Sequence, residues 1–128
     1  MKTLRVGIAS YEEMKARTVA IARGLHKPSS DDPKVWFTSA EAFARVLSDR
    51  NRVLLQMIAE SAPDSLAQLA ELTGRQKSNL SRTLKNMARY GLVRLDRGPR
   101  GSVVPSVPYE RISLMLPVSR TTHKRPAA

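Results

Sequence analysis

Cysteine is absent from the 128-residue chain, which excludes a disulfide framework, a thiol nucleophile and a thiolate metal site. No apolar run is long enough to span a bilayer. The opening "MKTLRVGIAS" carries a charge near its start, but its apolar stretch is far too short for a signal peptide. The chain is therefore expected in a reducing cytoplasm, with no membrane partner. No glycine-rich phosphate loop occurs and no nucleophile stands beside a plausible base, so no enzyme is expected. His26 and His123 are far apart and unsupported by acids, so neither a metal nor another cofactor is expected. Asp31 and Asp32 read as turn-forming residues before Pro33 rather than as a catalytic pair. Repeats at solenoid periods are also missing.

The most informative scarcity is local. Residues 1–72 hold ten basic and nine acidic side chains, a net of +1, whereas residues 73–128 hold twelve basic and only two acidic ones, Asp96 and Glu110, a net of +10. Nearly all of the chain's formal charge of +11 thus lies in its second part. Such a balance leaves the fold open but favours a polyanionic partner, nucleic acid first.

What is present suits one compact domain with an appendage. "TLRVGI" alternates Leu4, Val6 and Ile8 with polar or small residues and reads as a short strand. Ser10 and Glu13 form a capping box opening a helix, with Tyr11, Met14, Thr18, Ile21, Ala22 and Leu25 on one side and Gly24 to end it. "HKPSSDDPK" reads as a linker, which Trp36 and Phe37 would anchor to the core. Thr38 with Glu41 predicts a second box, opening a helix with Phe43, Val46 and Leu47 inward. Ser48 starts a third helix carrying Leu54, Leu55 and Ile58, and Ser65 with Gln68 predicts a third box. After Gly91, "LVRLDR" and "SVVPSV" flank the turn "GPRG" and read as a hairpin. "YERISLML" alternates Ile112, Leu114 and Leu116 and reads as a last strand. The expected organisation is mainly α with small β. It comprises a strand-helix module over 1–25, a linker over 26–37, the main domain over 38–116 and a mobile basic tail over 117–128.

The stretch between is "SLAQLAELTGRQKSNLSRTLKNMARYGLV". Leu80, Leu84, Met87 and Ala88 recur at helical spacing, and Leu66, Leu69, Leu80 and Leu84 can form an apolar seam between two short helices joined at Gly74. Ala70 is small where such helices would cross. This is a helix-turn-helix arrangement. The outward side of the second helix suits a major groove. Arg82 has the fork that matches guanine, Asn79 has the amide that matches adenine, and Ser78 and Ser81 stand beside them as further base readers. Lys77, Lys85 and Arg89, with Arg97 and Arg100 of the hairpin, are placed to reach phosphates.

These residues resemble the winged helix-turn-helix of the MarR-like and ArsR-like regulators, over about residues 49–108. In those families an "A-x-x-x-G" turn precedes an "S-x-L/V-S-R-x-L-x-x-L-x-x-x-G-L/V" recognition helix and wing. Ala70, Gly74, Ser81, Arg82, Leu84, Gly91 and Leu92 match, while Gln76 departs from the usual Ser, Thr or Asp at the helix start. More narrowly, the whole chain resembles small DNA-binding proteins encoded beside toxin genes, with "VWFTSAEAF" as the aromatic linker and a final "Y-x-R-I-x-L" strand. That likeness implies an antitoxin that neutralises its toxin and represses its own operon. The alternatives are a repressor without a toxin, a winged-helix protein-interaction module and a nucleic-acid binder acting by charge alone. A homodimer on palindromic double-stranded DNA is expected. Leu4, Val6 and Ile8, with Met14, Ile21 and Leu25, are the expected contacts to a second copy or to a toxin. The first and last strands could pair within one chain or across two.

Overall fold

A computed structural model describes residues 2–118, so the tail expected over 117–128 lies outside the described residues from position 119 on. The architecture is mixed α/β, with two small sheets and five α-helices among the described residues. In chain order the elements are β1 (Thr3–Ile8), α1 (Tyr11–Ala22), β2 (Val35–Phe37), α2 (Ala40–Val46), α3 (Asp49–Ser61), α4 (Leu66–Thr73), α5 (Lys77–Arg89), β3 (Arg94–Arg97), β4 (Val103–Ser106) and β5 (Arg111–Met115).

The first sheet has the order β2-β1-β5 and is parallel throughout. β1 pairs with β5 from Thr3↔Arg111 to Gly7↔Met115, so the first and last strands meet within one chain. On its other side β1 pairs with β2 from Val6↔Val35 to Ile8↔Phe37. Residues 35–37, read from sequence as the end of a linker, are thus a strand; three residues carry too little alternation to reveal one. Parallel neighbours need a long crossover, which α1 and its following loop supply between β1 and β2.

Alternation along the strands sorts the two faces of this sheet. Val6, Val35 and Phe37 are buried in the main core, with Leu4, Ile8 and Ile112 packed against it. Val6 is wholly inaccessible. The expectation that Leu4, Val6 and Ile8 contact a second copy or a toxin is therefore corrected: with a strand on either side, β1 spends its apolar side chains on the chain's own core. Trp36 and Gly7 lie on the other face. A Cβ at Gly7 would stand 2.6 Å and 2.8 Å from two carbons of the Trp36 ring, so only glycine admits the indole there. The Arg17 guanidinium of α1 lies 5.3 Å above the Trp36 ring centroid, which places α1 on this second face. Its Nη2 also donates to Asp32 Oδ2 at 3.1 Å and its Nη1 to His26 Nε2 at 2.9 Å.

The main core joins the sheet to the remaining helices. Leu54 and Ile58 of α3, Leu69 of α4, and Leu80, Leu84 and Met87 of α5 are all buried with Leu92. Each such side chain contributes about 1.5–3 kcal/mol on burial. Phe37 stacks on Tyr90 with centroids 4.3 Å apart and meets Phe43 edge-on at 5.4 Å. The Tyr109 hydroxyl donates to the Leu92 carbonyl and ties the approach to β5 onto the end of α5. Burial pushes that phenol up to about 12.

Serine starts four of the five helices. Ser10, Ser39, Ser48 and Ser65 each accept from a backbone N–H in the first turn. Ser39 is the cap that sequence assigned to Thr38, because its hydroxyl reaches Ala42 N at 3.0 Å. The reciprocal half of the third box is missing: Gln68 Oε1 takes the Asp64 N–H at 2.6 Å instead. α1 buries no residue: Met14 and Ile21 are half-buried and Tyr11 is 73% exposed, while Leu25, just beyond the helix, is 77% exposed. Among the described residues no helix is long and apolar enough to cross a membrane.

Candidate functional site

α4 ends where Gly74 takes φ +73°, a left-handed conformation that a residue with a Cβ resists. Gly74, Arg75 and Gln76 make the whole connection to α5. Leu66, Leu69, Leu80 and Leu84 close the seam between the two helices, as their spacing predicts, and Ala70 packs against it half-buried. Because Leu80, Leu84 and Met87 hold one side of α5 inward, the opposite side must face out. Ser78, Arg82, Lys85 and Arg89 are exposed there, with Lys77 at the start of the helix.

β3 and β4 follow as an antiparallel hairpin, from Arg94↔Ser106 to Arg97↔Val103. Its turn is tight: Gly98 N donates to Ser102 O at 2.8 Å, and Arg100 takes φ +60° at the tip. The hairpin stands beside α5 across a cleft of about 240 Å³ lined by Ser81, Lys85, Leu95, Asp96, Arg97 and their neighbours. Tertiary structure thus brings Arg97 to the same cleft as Lys85 and Ser81. Ser81 is half-buried against the hairpin instead of standing on the open face. Asp96, one of the two acids in this part of the chain, is engaged by Arg94 Nε at 3.3 Å. Among the described residues, Lys77, Arg82, Lys85, Arg89, Arg97 and Arg100 form no ion pair.

Asn79 is placed differently from the other candidate residues. It is half-buried on the flank of α5, and its Oδ1 accepts from Arg75 Nε at 3.2 Å and Nη2 at 2.9 Å. Arg75 Nη2 also reaches Thr83 Oγ1 at 3.4 Å, while the Arg75 N–H donates to Thr73 Oγ1 at 3.2 Å. Arg75 therefore belongs to the site, although sequence reasoning did not select it. Desolvation first, and the charge of Arg50 on α3 second, pull its guanidinium below the ordinary value. The only sequence signal for Arg75 was its place in the turn; nothing local announces Arg50, which tertiary packing brings near.

α5 also begins differently from its neighbours. Gln76 stands at its N-cap with no side-chain hydrogen bond, and the first turn carries no acid. The N–H groups there retain their partial positive charge. The whole surface offers N–H donors and cations, which can bind anionic oxygens.

A family model described as HVO_A0114 matches residues 46–114, from the end of α2 to within β5. No curated protein and no solved structure matches the chain.

Proposed function

We propose that this chain, which belongs to the HVO_A0114 family, is a sequence-specific DNA-binding transcriptional regulator of the cytoplasm and not an enzyme. In this reading α4, its glycine turn and α5 are a helix-turn-helix, and β3 with β4 is the wing. α5 enters the major groove and the wing follows the backbone. The observation that carries the proposal is one-sided charge on a fixed helix. Leu80, Leu84 and Met87 lock the orientation of α5, and the side so exposed bears Arg82, Lys85 and Arg89, with no carboxylate bridged to them among the described residues. A merely solvated face needs charge but is indifferent to its sign; a polyanion needs the positive sign.

The roles divide by position. Arg82 and Ser78 face the bases, while Lys77, Lys85, Arg89, Arg97 and Arg100 take phosphates. Ser81, at the hairpin cleft, positions the wing. The antitoxin role, with autorepression of its operon, rests on α1. That helix buries no residue and exposes Tyr11 and Val19, with Leu25 exposed just beyond its end, a surface that a toxin would cover. The homodimer expected on a palindromic site has the outer edge of β5 available to it, where Leu114 and Met115 are exposed.

Titration of the chain's own promoter fragment and a scrambled fragment, each at two salt concentrations, tests the function. The expected result is preference for the promoter with affinity falling steeply as salt rises. Arg82→Ala should cost about 1–3 kcal/mol on the promoter alone. Arg97→Ala and Arg100→Ala should weaken both fragments and lower the salt slope by about one each. Binding to neither fragment would leave a protein-interaction module. Equal binding to both would leave a charge-driven binder.

A further inference from the structure

A free asparagine amide offers a donor and an acceptor side by side, which is why it matches adenine N6 and N7. Asn79 is not free in this sense. Arg75 directs both Nε and Nη2 at one Asn79 side-chain atom, at 3.2 Å and 2.9 Å. A guanidinium only donates, so the atom facing it must be the carbonyl oxygen Oδ1, and the orientation of the amide is settled by chemistry. Nδ2 is left with no partner among the described residues. Because no buried side-chain nitrogen or oxygen there lacks a partner, Nδ2 must reach solvent. Arg75 is itself fixed by its backbone bond to Thr73 and by Thr83 Oγ1 at 3.4 Å.

We propose that Arg75 is a specificity-determining positioning residue: by occupying Oδ1 it makes Asn79 a donor only, so that the base beneath it is guanine rather than adenine. The inference rests on the DNA-reading role proposed for α5. Guanine shows two acceptors, O6 and N7, to the major groove. Adenine shows N7 beside an amino donor, and a donor-only amide leaves that amino group unanswered. The residue type alone pairs Asn79 with adenine; the hydrogen bond from Arg75, four residues before it, reverses the preference.

Selection from a randomised duplex DNA library, using the full chain, tests this with three variants. The unmutated protein and Arg75→Lys, which keeps an N–H donor, should enrich guanine at one position. Arg75→Met frees Oδ1 and should move that position toward adenine, changing the guanine-to-adenine ratio about tenfold or more. Asn79→Asp should move the same position toward cytosine, whose N4 donates to the remaining oxygen. The readout is the base enriched and not the affinity, because an added carboxylate weakens binding to any duplex. Retention of the unmutated preference by Arg75→Met overturns the proposal. So does adenine, in the unmutated protein, at the position that responds to Asn79→Asp, and this second comparison decides the matter if Arg75→Met fails to fold. If the unmutated chain enriches no sequence at all, the DNA-reading function falls and the inference with it. If it enriches a sequence indifferent to all three variants, the function stands and only the role of Arg75 is lost.

Discussion

α1 and α5 are helices of twelve and thirteen residues that are held in opposite ways. α1 has strong local devices at its start: Ser10 and Glu13 cap it reciprocally at 2.8 Å and 3.1 Å, and two acids occupy its first turn. Yet it buries no residue, and its main tie to the rest is the polar contact of Arg17 with Trp36, Asp32 and His26. α5 has no side-chain cap and no acid in its first turn, but Leu80, Leu84 and Met87 are wholly inaccessible. Caps set where a helix starts, and burial of one face sets how firmly it stays, because a short helix alone is marginal in water. A helix held by burial can leave its N-terminus and far side uncommitted, which is what a ligand-reading helix requires. A helix held by its caps leaves its apolar side chains free for another protein.

The sharpest way to break this contrast is to remove burial from one helix and an exposed aromatic from the other. Leu84→Ala should destabilise the chain by about 2–5 kcal/mol, whereas Tyr11→Glu should stay within about 0.5 kcal/mol, both by urea denaturation. If Tyr11→Glu also abolishes neutralisation of a neighbouring toxin, the loss is one of contact and not of folding. An unfolding effect as large as that of Leu84→Ala would show that α1 is buried more firmly than its exposure indicates. Deletion of the N-terminal segment cannot serve here, since it removes β1 from the centre of its sheet.

A smaller effect separates stability from binding within α5 itself. Gln76→Asp supplies the missing cap and should add about 1 kcal/mol of stability. The same carboxylate faces the phosphates expected at this helix start, so affinity for DNA should fall as thermal stability rises. A variant that gains both would place the start of α5 away from the DNA.

The smallest effect concerns the polar tie of α1. The Ser29 N–H first, and the Arg17 side chain after it, hold the Asp32 carboxyl down at about 2 from its ordinary 3.8, against the opposing effect of burial. A lowered carboxyl stabilises the fold fully above the unfolded value of 3.8, and that contribution is lost as pH falls through about 2. With solvent screening it is worth no more than about 1 kcal/mol. Asp32→Asn should remove this part of the acid dependence, and amide exchange in α1 should rise at neutral pH while exchange in α5 does not. Equal loosening of both helices would contradict the contrast between them.

The parts legible in the sequence were those that neighbours in the chain decide. Serine caps, the Gly74 turn, the leucine seam of α4 and α5 and the hairpin around "GPRG" all act within a few residues, so periodicity and turn chemistry reveal them. The one-sided charge was equally plain, being a matter of composition. Misreadings occurred where distance mattered, and at one helix start. Val35–Phe37 is a strand only because β1 lies beside it, and Thr38 lost the cap to Ser39 by one residue.

By itself, then, the sequence determined the helices, most of their starting points, the apolar side of α5 and the positive sign of what that helix presents. Only tertiary structure decided that residues 3–8, 35–37 and 111–115 form one parallel sheet. It also decided that Trp36 lies over Gly7 and that Arg50 stands near Arg75. The physical reason is the same in each case. Parallel pairing joins segments separated by tens of residues, and a ring or a charge meets whatever packing sets beside it. Neither leaves a trace in local spacing.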